Sequence, residues 1–348
     1  MSHPLSHATQ IAHNTARFGW YFGINWLVDR QASRLGAKPA YKPSRPVPTR
    51  QEMLADLASV FLADASAVRD GLYPASLDRS ASLSDHIARL RLMMADLPGA
   101  LRRREEEDAQ TSGRMPEAEG LPSYFTQDFH FQTGGYLSED SAKLYDVQTE
   151  TLFYGSTSVM RRSGLRPIAE FIRGKDQRQL AMLDVACGTG RFLRDVRLAL
   201  PAMKLTGCDL SDSYLNEARD HMSGLRPAEF VSANAELLPF DTASQDIVSC
   251  IFLFHELPPD VRRRVASEMA RVLKPGGLLV FIDSLQMGDR PGWDGLLEAF
   301  PVRFHEPYYR HYAIDDLDGL FSDTGLMPVS SQSVFLSKLM VRKKASAQ

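Results

Sequence analysis

A doubly wound α/β sheet with one antiparallel hairpin is the fold that the sequence predicts from about residue 176 onward. Short apolar runs that end in Gly, Asp or Asn alternate there with longer amphipathic stretches, which is the pattern of parallel strands joined by helices. Two short strand patterns close together near the C-terminus predict the hairpin, at an edge of the sheet. Ligands of such sheets lie at the carboxyl ends of the parallel strands, so functional residues are expected in the loops there.

Seven strands and four helices follow from this pattern. The strands that alternate with helices are predicted at 181–186, 204–209, 228–232, 247–253 and 277–284. The hairpin strands are predicted near 328–331 and at 334–342. The helices are predicted at 190–200, 211–223, 259–273 and 314–324. Ser211 and Asp315 can accept backbone amide protons where a helix begins, and Pro259 suits a first turn.

The preceding part of the chain has a helical character. Helices are predicted at 11–35, 51–71 and 84–104, and the closely spaced prolines of segment 38–48 exclude a helix between the first two. Segment 105–122 has almost nothing to bury and is predicted to be an acidic linker or surface loop. The expected organisation is therefore a helical extension over 1–122, a lid and helical lead-in over 123–175, and a ligand-binding domain over 176–348.

Composition and charge argue against several classes of protein. Among 348 residues, 40 Lys and Arg stand against 43 Asp and Glu, and a net charge of −3 gives no general positive field for nucleic acid. No apolar run approaches the roughly 20 residues of a membrane-spanning helix, and the polar first residues do not form a secretory signal. Three cysteines without metal-site spacing fit a reducing compartment. We therefore expect a cytoplasmic protein.

The strongest local signal is the glycine turn in the segment Leu183-Asp184-Val185-Ala186-Cys187-Gly188-Thr189-Gly190. An apolar strand passes into a turn and then a helix, so backbone amides can approach a ligand. Leu193 stands where a dinucleotide fingerprint has its third glycine, so the loop is a poor pyrophosphate site. The carboxylate of Asp184 favours a ligand with a positive charge. An ordinary tight turn is the alternative interpretation.

Polar residues also end the next two strands. Asp209 follows the glycine loop by about 20 residues, where α/β nucleotide folds place a carboxylate that receives ribose hydroxyls. Adjacent strand ends would bring it into one crevice with Gly188 and Gly190. The side-chain oxygen of Asn234 can accept a hydrogen bond from an adenine amine, and the backbone amide of Ala235 can donate to a ring nitrogen. A turn residue is the alternative for Asn234.

Taken in order, these motifs resemble those of class I S-adenosylmethionine-dependent methyltransferases. The matching segments are 184–190, 209, 234–236, 240–241, 246–248 and 271–277, and the resemblance covers about 150–345. Among these enzymes the sequence is most similar to the ubiquinone/menaquinone C-methyltransferase-like (methyltransferase type 11) group. The resemblance implies a seven-stranded, Rossmann-like sheet and methyl transfer from S-adenosylmethionine, with S-adenosylhomocysteine as product.

The same resemblance implies a set of cofactor-binding residues. The loop from Asp184 to Gly190 would line the methionine end, Asp209 would hold the ribose, and Asn234 and Ala235 would meet the adenine. The implied set is Asp184, Ala186, Gly188, Gly190, Asp209, Leu210, Asn234, Ala235 and Phe254. Two positions depart from the family pattern, because Ala186 replaces the usual first glycine and Asn234 replaces a common Asp. We expect an altered loop geometry with binding retained.

His255 is the candidate catalytic residue. It follows the fourth strand and would emerge beside the sulfonium, where an imidazole can take a proton from an acceptor hydroxyl or an activated carbon. The alternative is a histidine at a helix entry that hydrogen-bonds the backbone. Glu256 is expected to cap or support that turn.

Two aromatic segments, 124–137 and 304–312, could build an acceptor pocket. Plain packing is the alternative for any single aromatic residue. The candidate substrate-binding residues are Tyr136, His305, Tyr308, Tyr309 and Tyr312. Two such segments favour a small or lipid-like, largely apolar acceptor, methylated on carbon or oxygen. No metal site is predicted, because His305 and His311 have no third ligand at matching spacing.

The sequence does not determine what the aromatic helix at 11–35 packs against. Burial against the core or against a second subunit is the favoured interpretation, and contact with a membrane surface is the alternative.

Two rival functions also remain. One is a non-catalytic module that binds the cofactor and acts through its helical extension as a partner subunit, and the other is a nicotinamide oxidoreductase, which Leu193 disfavours.

Overall fold

A seven-stranded sheet in the order β3-β2-β1-β4-β5-β7-β6 forms the centre of the protein. The computed structural model describes residues 4–37, 41–76 and 83–346. The strands are β1 (Ala181–Val185), β2 (Lys204–Asp209), β3 (Glu229–Ser232), β4 (Gln245–Ile251), β5 (Leu273–Ser284), β6 (Leu326–Val334) and β7 (Ser337–Lys344). The first five pair in parallel, and β7 is antiparallel to both β5 and β6. The predicted fold class, including the hairpin, is confirmed.

The helices precede, alternate with and follow these strands. They are α1 (Pro4–Arg34), α2 (Arg50–Arg69), α3 (Leu83–Glu106), α4 (Glu139–Leu152), α5 (Thr157–Arg162), α6 (Leu165–Phe171), α7 (Arg191–Ala199), α8 (Asp212–His221), α9 (Pro259–Val272), α10 (Asp294–Arg303), α11 (Tyr309–Tyr312) and α12 (Leu317–Asp323). The Ser211 hydroxyl caps α8, as predicted. For α12 the capping residue is Asp316, and the prediction of Asp315 is wrong because that carboxylate pairs with the buried Arg262 at 2.7 Å.

The core lies on both faces of the sheet, as alternation along the strands requires. In β1, Met182 belongs to the cluster on one face, while Leu183 and Val185 belong to the cluster on the other.

Strand β4 ends at Ile251, two residues before its predicted end. Phe252 has a φ of 58°, a left-handed conformation that cannot continue a strand, so the chain turns there.

A buried polar network attaches the N-terminal helices to the rest of the protein. The carboxylate of Asp64 in α2 accepts hydrogen bonds from Gln10 at 2.8 Å and Asn14 at 3.1 Å, both in α1. It also accepts one from Arg162 in α5 at 2.9 Å, and Tyr73 donates to it at 3.2 Å. A buried carboxylate needs such partners. The helical extension is thus packed onto the domain that contains the sheet.

Helix α1 is only partly covered. Tyr21 and Ile24 are buried, whereas Trp20 and Trp26 are exposed to 42% and 54%. Burial of the aromatic helix therefore holds for one face alone. Among the described residues, no helix is both long and apolar enough to cross a bilayer.

The segment predicted as a linker or surface loop contains the end of α3 and two short 3₁₀ turns, Ser112–Arg114 and Pro116–Ala118. Helix α3 continues to Glu106, and both Ala109 and Ser112 are buried. The backbone amides of Thr111 and Ser112 donate to the carboxylate of Asp128, at 2.9 and 3.0 Å. The other residues of 105–122 are exposed or half-buried, so Ala109 and Ser112 are the buried exceptions in this segment. The proline-rich segment has no helix over 41–48, and Lys38–Ala40 lies outside the described residues.

Candidate functional site

The glycine turn lies between β1 and α7 and is left-handed at three positions. Gly188 and Gly190 have φ values of 53° and 70°, and Ala186 has a φ of 55°. A Cβ on Gly190 would lie 2.8 Å from the Cβ of Ala218, so close packing against α8 requires the glycine. Beside Gly188 nothing lies within 4 Å of such an atom, so a ligand could approach there. Ala186 therefore adopts the backbone conformation for which glycine is favoured.

Asp209, at the end of β2, is tied directly to this turn. Its carboxylate accepts hydrogen bonds from the amides of Gly188 and Ser211, each at 2.9 Å. Burial raises the pKa of Asp209, and these two backbone hydrogen bonds act in the opposite direction. The structure thus brings Asp209 and Gly188 into one crevice, because parallel neighbours β1 and β2 end at the same edge.

A cleft of about 790 Å³, here called the strand-end cleft, opens at this edge of the sheet. The predicted residues that line it are Tyr136, Ala186, Gly188, Asp209, Leu210, Asn234 and Ala235. The further lining residues used below are Tyr124, Phe129, Tyr145, Tyr214, Phe252 and Glu256. Most of the predicted cofactor set therefore surrounds one space, at the ends of the first three parallel strands.

Three predicted cofactor-binding residues do not line the strand-end cleft. Asp184 is 2% exposed within β1 and accepts a hydrogen bond from Ser249 at 2.5 Å. Burial raises its pKa to about 7. Gly190 packs against α8 instead, and Phe254 is fully buried, with its ring centroid 4.9 Å from that of Phe281. Phe254 is therefore a core residue in this structure and not a wall of the cleft.

Asn234 is engaged in its own turn. Its side-chain oxygen accepts a hydrogen bond from the Glu236 amide at 2.8 Å. The carboxylate of Glu236 in turn binds the Tyr124 hydroxyl at 2.5 Å and Arg264 at 2.6 Å. This is the turn interpretation of Asn234, although the residue still lines the cleft beside Ala235.

Aromatic residues from segment 124–137 and from α4 and α8 cover the cleft. The ring of Tyr136 lies 5.4 Å, centroid to centroid, from those of Phe129 and Tyr214. The Tyr136 carbonyl accepts a hydrogen bond from Ser211 at 2.6 Å, and its hydroxyl donates to Glu256 at 2.5 Å. Tyr145 and Tyr214 could not be predicted as lining residues, because their spacing within α4 and α8 is typical of ordinary helix packing.

A second space of about 710 Å³, here called the apolar cavity, adjoins the strand-end cleft. The two share Tyr145, Phe252 and Glu256 as lining residues. The remaining walls of the apolar cavity include Leu152, Phe153, Leu296, Leu297, Phe300 and Leu336, with His130, His255, Ser284 and Tyr309 as polar members. The side chains of Tyr145, Phe252 and Glu256 therefore form a wall that is common to the two spaces.

His255 lies at this junction and is oriented by a carboxylate. Its Nδ1 atom is 2.5 Å from Asp283 Oδ1, and its Nε2 atom is 3.8 Å from Glu256 Oε1. Burial lowers the pKa of His255, but the Asp283 carboxylate, with Glu306 and Glu256 nearby, raises it to about 10. The backbone contact considered for His255 is thus replaced by a side-chain contact with β5.

The other predicted acceptor residues are separated by the fold. Tyr309 lines the apolar cavity, and its hydroxyl is 2.6 Å from Ser284 Oγ. His305 and Tyr308 instead bind Gln127, at 2.7 and 3.1 Å, and so hold segment 124–137 in place. Tyr312 is fully buried and donates to the Ser284 carbonyl at 2.5 Å. These last three residues line neither of the two spaces.

Glu256 and Glu306 are acidic residues whose position the sequence did not reveal. Glu256 was expected to support a turn, but it lines both spaces. Burial raises the pKa of Glu256, and burial raises that of Glu306 well above the ordinary range. The sequence offered one indication of these two residues. Glu256 directly follows His255, and Glu306 directly follows His305, and both histidines are candidate site residues.

Comparisons with known proteins find relatives of the part of the chain that contains this site. The model of a family described as a methyltransferase domain matches residues 182–277. The demethylmenaquinone methyltransferase of Thermotoga maritima is 33% identical over 186 residues, which cover 53% of this chain and 72% of that protein. The ubiquinone/menaquinone biosynthesis C-methyltransferase of Campylobacter jejuni is 29% identical over 147 residues, 41% of this chain and 59% of that relative. The chain thus spans about three fifths of the Campylobacter protein.

Among solved structures, a SAM-dependent methyltransferase from Aquifex aeolicus aligns with a TM-score of 0.43 at 18% identity. The alignment covers 60% of this chain and 100% of that chain.

Proposed function

Because the chain belongs to the class I S-adenosylmethionine-dependent methyltransferases, in the ubiquinone/menaquinone C-methyltransferase-like group, we propose that it methylates a small, largely apolar acceptor on carbon or oxygen. S-adenosylmethionine would be the donor and S-adenosylhomocysteine the product. The proposal is carried by one observation, namely that the strand-end cleft and the apolar cavity meet at Tyr145, Phe252 and Glu256.

The strand-end cleft fits the donor by its position at the strand ends and by its chemistry. The open space beside Gly188 admits a close approach to the backbone. Asp209 keeps lone pairs free for ribose hydroxyls beyond its two backbone hydrogen bonds. Leu210, Asn234 and Ala235 would surround the base.

The apolar cavity fits an acceptor with a hydrocarbon body and one polar reacting group. Its leucine and phenylalanine walls would bury the apolar part. The relatives from Thermotoga maritima and Campylobacter jejuni carry names that refer to menaquinone or ubiquinone. A prenylated hydroquinone is therefore the first class of acceptor to test.

The bound donor supplies an electrophilic methyl group, and the chain's own residues position the acceptor and exclude water. Tyr136, Tyr145 and Tyr214 enclose the cleft and limit competing hydrolysis. Asp283 holds the imidazole of His255 through Nδ1, which leaves Nε2 on the side of Glu256. We assign His255 to the hydrogen bond with the reacting oxygen of the acceptor, and Asp283 to its positioning. Transfer forms the acceptor–methyl bond, breaks the methyl–sulfur bond and passes the acceptor's proton to solvent.

The test uses purified full-length protein with methyl-labelled S-adenosylmethionine and a panel of short-chain prenylated naphthohydroquinones and benzohydroquinones. Label in the organic phase, with stoichiometric S-adenosylhomocysteine, is the expected result. Binding of S-adenosylhomocysteine without turnover on any acceptor would favour the non-catalytic module. Tighter binding of NAD than of S-adenosylmethionine in a calorimetric titration would contradict the proposal.

A further inference from the structure

A cluster of one imidazole and two carboxylates borders the apolar cavity, with His130 and Glu256 half-buried and Glu306 buried. His130, Glu256 and Glu306 each offer one ligand atom within 4.8 Å of the other two. The three come from distant parts of the sequence, one on the segment before α4, one after β4 and one before α11. None of the donor-binding or hydrogen-bonding roles assigned above accounts for Glu306.

The carboxylate of Glu306 has no hydrogen-bond donor among the described residues. Its side chain is fully buried. The nearest imidazole is that of His130, with Nε2 3.2 Å from Glu306 Oε1 but outside hydrogen-bond geometry. A buried carboxylate left in this state is costly, so a proton, a water molecule or a cation must compensate it.

The types of ligand atom in the cluster, one imidazole nitrogen and two carboxylates, indicate which class of cation it could bind. We propose that His130, Glu256 and Glu306 bind a divalent transition-metal ion of the Zn²⁺ or Mn²⁺ type. An imidazole nitrogen suits these ions, whereas Ca²⁺ and Mg²⁺ prefer sites made of oxygen ligands alone. Three protein ligands leave at least one coordination position open, as in catalytic metal sites.

The supporting residues hold the ligands in place. The Tyr136 hydroxyl donates to Glu256 Oε1 at 2.5 Å, so the other carboxylate oxygen stays available. The ring of His130 packs on that of Phe304, with centroids 5.5 Å apart. Arg103 donates to the Phe131 carbonyl at 2.9 Å through Nε, which fixes the backbone next to His130. Ligands that are oriented from outside bind metals more tightly.

The location suggests what the open position binds. His130 and Glu256 line the apolar cavity, and Glu256 also lines the strand-end cleft. An acceptor oxygen that entered the apolar cavity could take the open position, where the ion would lower the pKa of a hydroxyl. This second part rests on the proposed methyl transfer, whereas ion binding itself does not.

The experiment first measures the ion without donor or acceptor. Chelator-treated full-length protein is titrated with ZnCl₂, MnCl₂ and MgCl₂ by calorimetry, and metal content is measured after gel filtration. We expect about one Zn²⁺ or Mn²⁺ per chain, a raised Tm and little response to Mg²⁺. Glu306→Gln and His130→Gln should each weaken binding at least tenfold.

The matched control is His311→Gln, because His311 is a half-exposed histidine whose Nδ1 lies 3.8 Å from the carboxylate of Asp315. It should bind the ion as the unsubstituted protein does. Failure of Glu306→Gln to fold would leave the His130→Gln result and the Tm shift to decide. Absence of binding, or equal binding in all variants, would overturn the site.

A separate measurement tests whether an acceptor oxygen binds the open coordination position of the ion. Chelation should abolish turnover while S-adenosylhomocysteine still binds. Turnover that survives in metal-free protein would overturn the acceptor's coordination, and a metal-loaded protein that binds S-adenosylhomocysteine but turns over no acceptor would count against the proposed function alone.

Discussion

The amide of Gly188 donates a hydrogen bond to the Asp209 carboxylate across 2.9 Å and so joins the turn after β1 to the end of β2. The contact fixes the floor of the strand-end cleft. It also places a carboxylate where ribose hydroxyls of the donor would bind. Asp209 therefore holds the loop and, in the proposed function, would also bind the ligand.

Asp209→Ala should weaken S-adenosylhomocysteine binding by about 1–3 kcal/mol, roughly 5- to 150-fold, because charge-assisted hydrogen bonds are lost. Calorimetric titration measures this change. Asp212→Ala is the matched control, since Asp212 is exposed on the first turn of α8 and should leave affinity unchanged. Equal affinity of the protein with and without Asp209→Ala would place the ribose elsewhere.

Ala186→Gly should raise the free energy of unfolding by about 0.5–1 kcal/mol. A left-handed alanine costs about 1–2 kcal/mol, and the extra freedom of glycine in the unfolded chain offsets part of the gain. Urea denaturation measures the difference. Ala55→Gly is the control, because Ala55 is exposed within α2, where glycine should destabilise by about 1 kcal/mol. A loss of stability in both variants would contradict the account of the turn.

Asp184 should make stability fall as pH rises toward neutrality. Burial raises its pKa to about 7 in the folded protein, above its ordinary value of 3.8. The folded state therefore holds a proton that the unfolded state has released between these two values. Its stabilising contribution is present below the lower value and is lost as pH rises through about 7.

Urea denaturation of the protein and of Asp184→Asn at pH 5, 6, 7 and 8 measures this effect. The variant should gain stability relative to the original chain as pH rises, by up to about 1.4 kcal/mol per pH unit below neutrality. A difference between the two that is constant with pH would show that Asp184 keeps an ordinary pKa.

Asp64→Ala should destabilise the protein by about 3–5 kcal/mol, because Arg162 would remain buried without its closest carboxylate. Denaturation followed by tryptophan fluorescence reports the loss, since Trp20 and Trp26 lie on α1. Asp70→Ala removes an exposed acid next to Arg69 and should change stability little. A small effect of Asp64→Ala would mean that the helical extension is held mainly by apolar contacts.

His255→Gln should lower kcat/KM by about 100-fold while the affinity for S-adenosylhomocysteine stays the same, because His255 lines the apolar cavity, where we propose that the acceptor binds. His311→Gln, outside both spaces, should retain full turnover. Steady-state kinetics with the best hydroquinone acceptor measures both variants. A weaker donor affinity in His255→Gln would instead place the imidazole at the cofactor.

The strand-end cleft could largely be predicted, because local sequence determines it. An apolar strand, a glycine turn and an acid at the next strand end are set by spacing along the chain, and parallel neighbours bring Gly188 and Asp209 together. Phe254 does not line the cleft, and the reason is local. The left-handed backbone at Phe252 redirects the chain after β4, so Phe252 faces the cleft and Phe254 enters the core.

The acceptor side could not be predicted in the same way. His130 and Glu306 meet through packing between segments that are far apart in sequence, and no periodicity links them. Tyr312 and Tyr309 share one short helix, yet only Tyr309 reaches the apolar cavity. Which aromatic residue lines a pocket depends on how that helix is rotated against β5, which composition does not encode.

The most direct test is a crystal structure with S-adenosylhomocysteine bound. We predict that its ribose hydroxyls contact Asp209, its base lies beside Ala235, and its sulfur points past Tyr145 and Glu256 toward the apolar cavity. A ligand that leaves the strand-end cleft vacant, or whose sulfur faces away from the apolar cavity, would contradict the account.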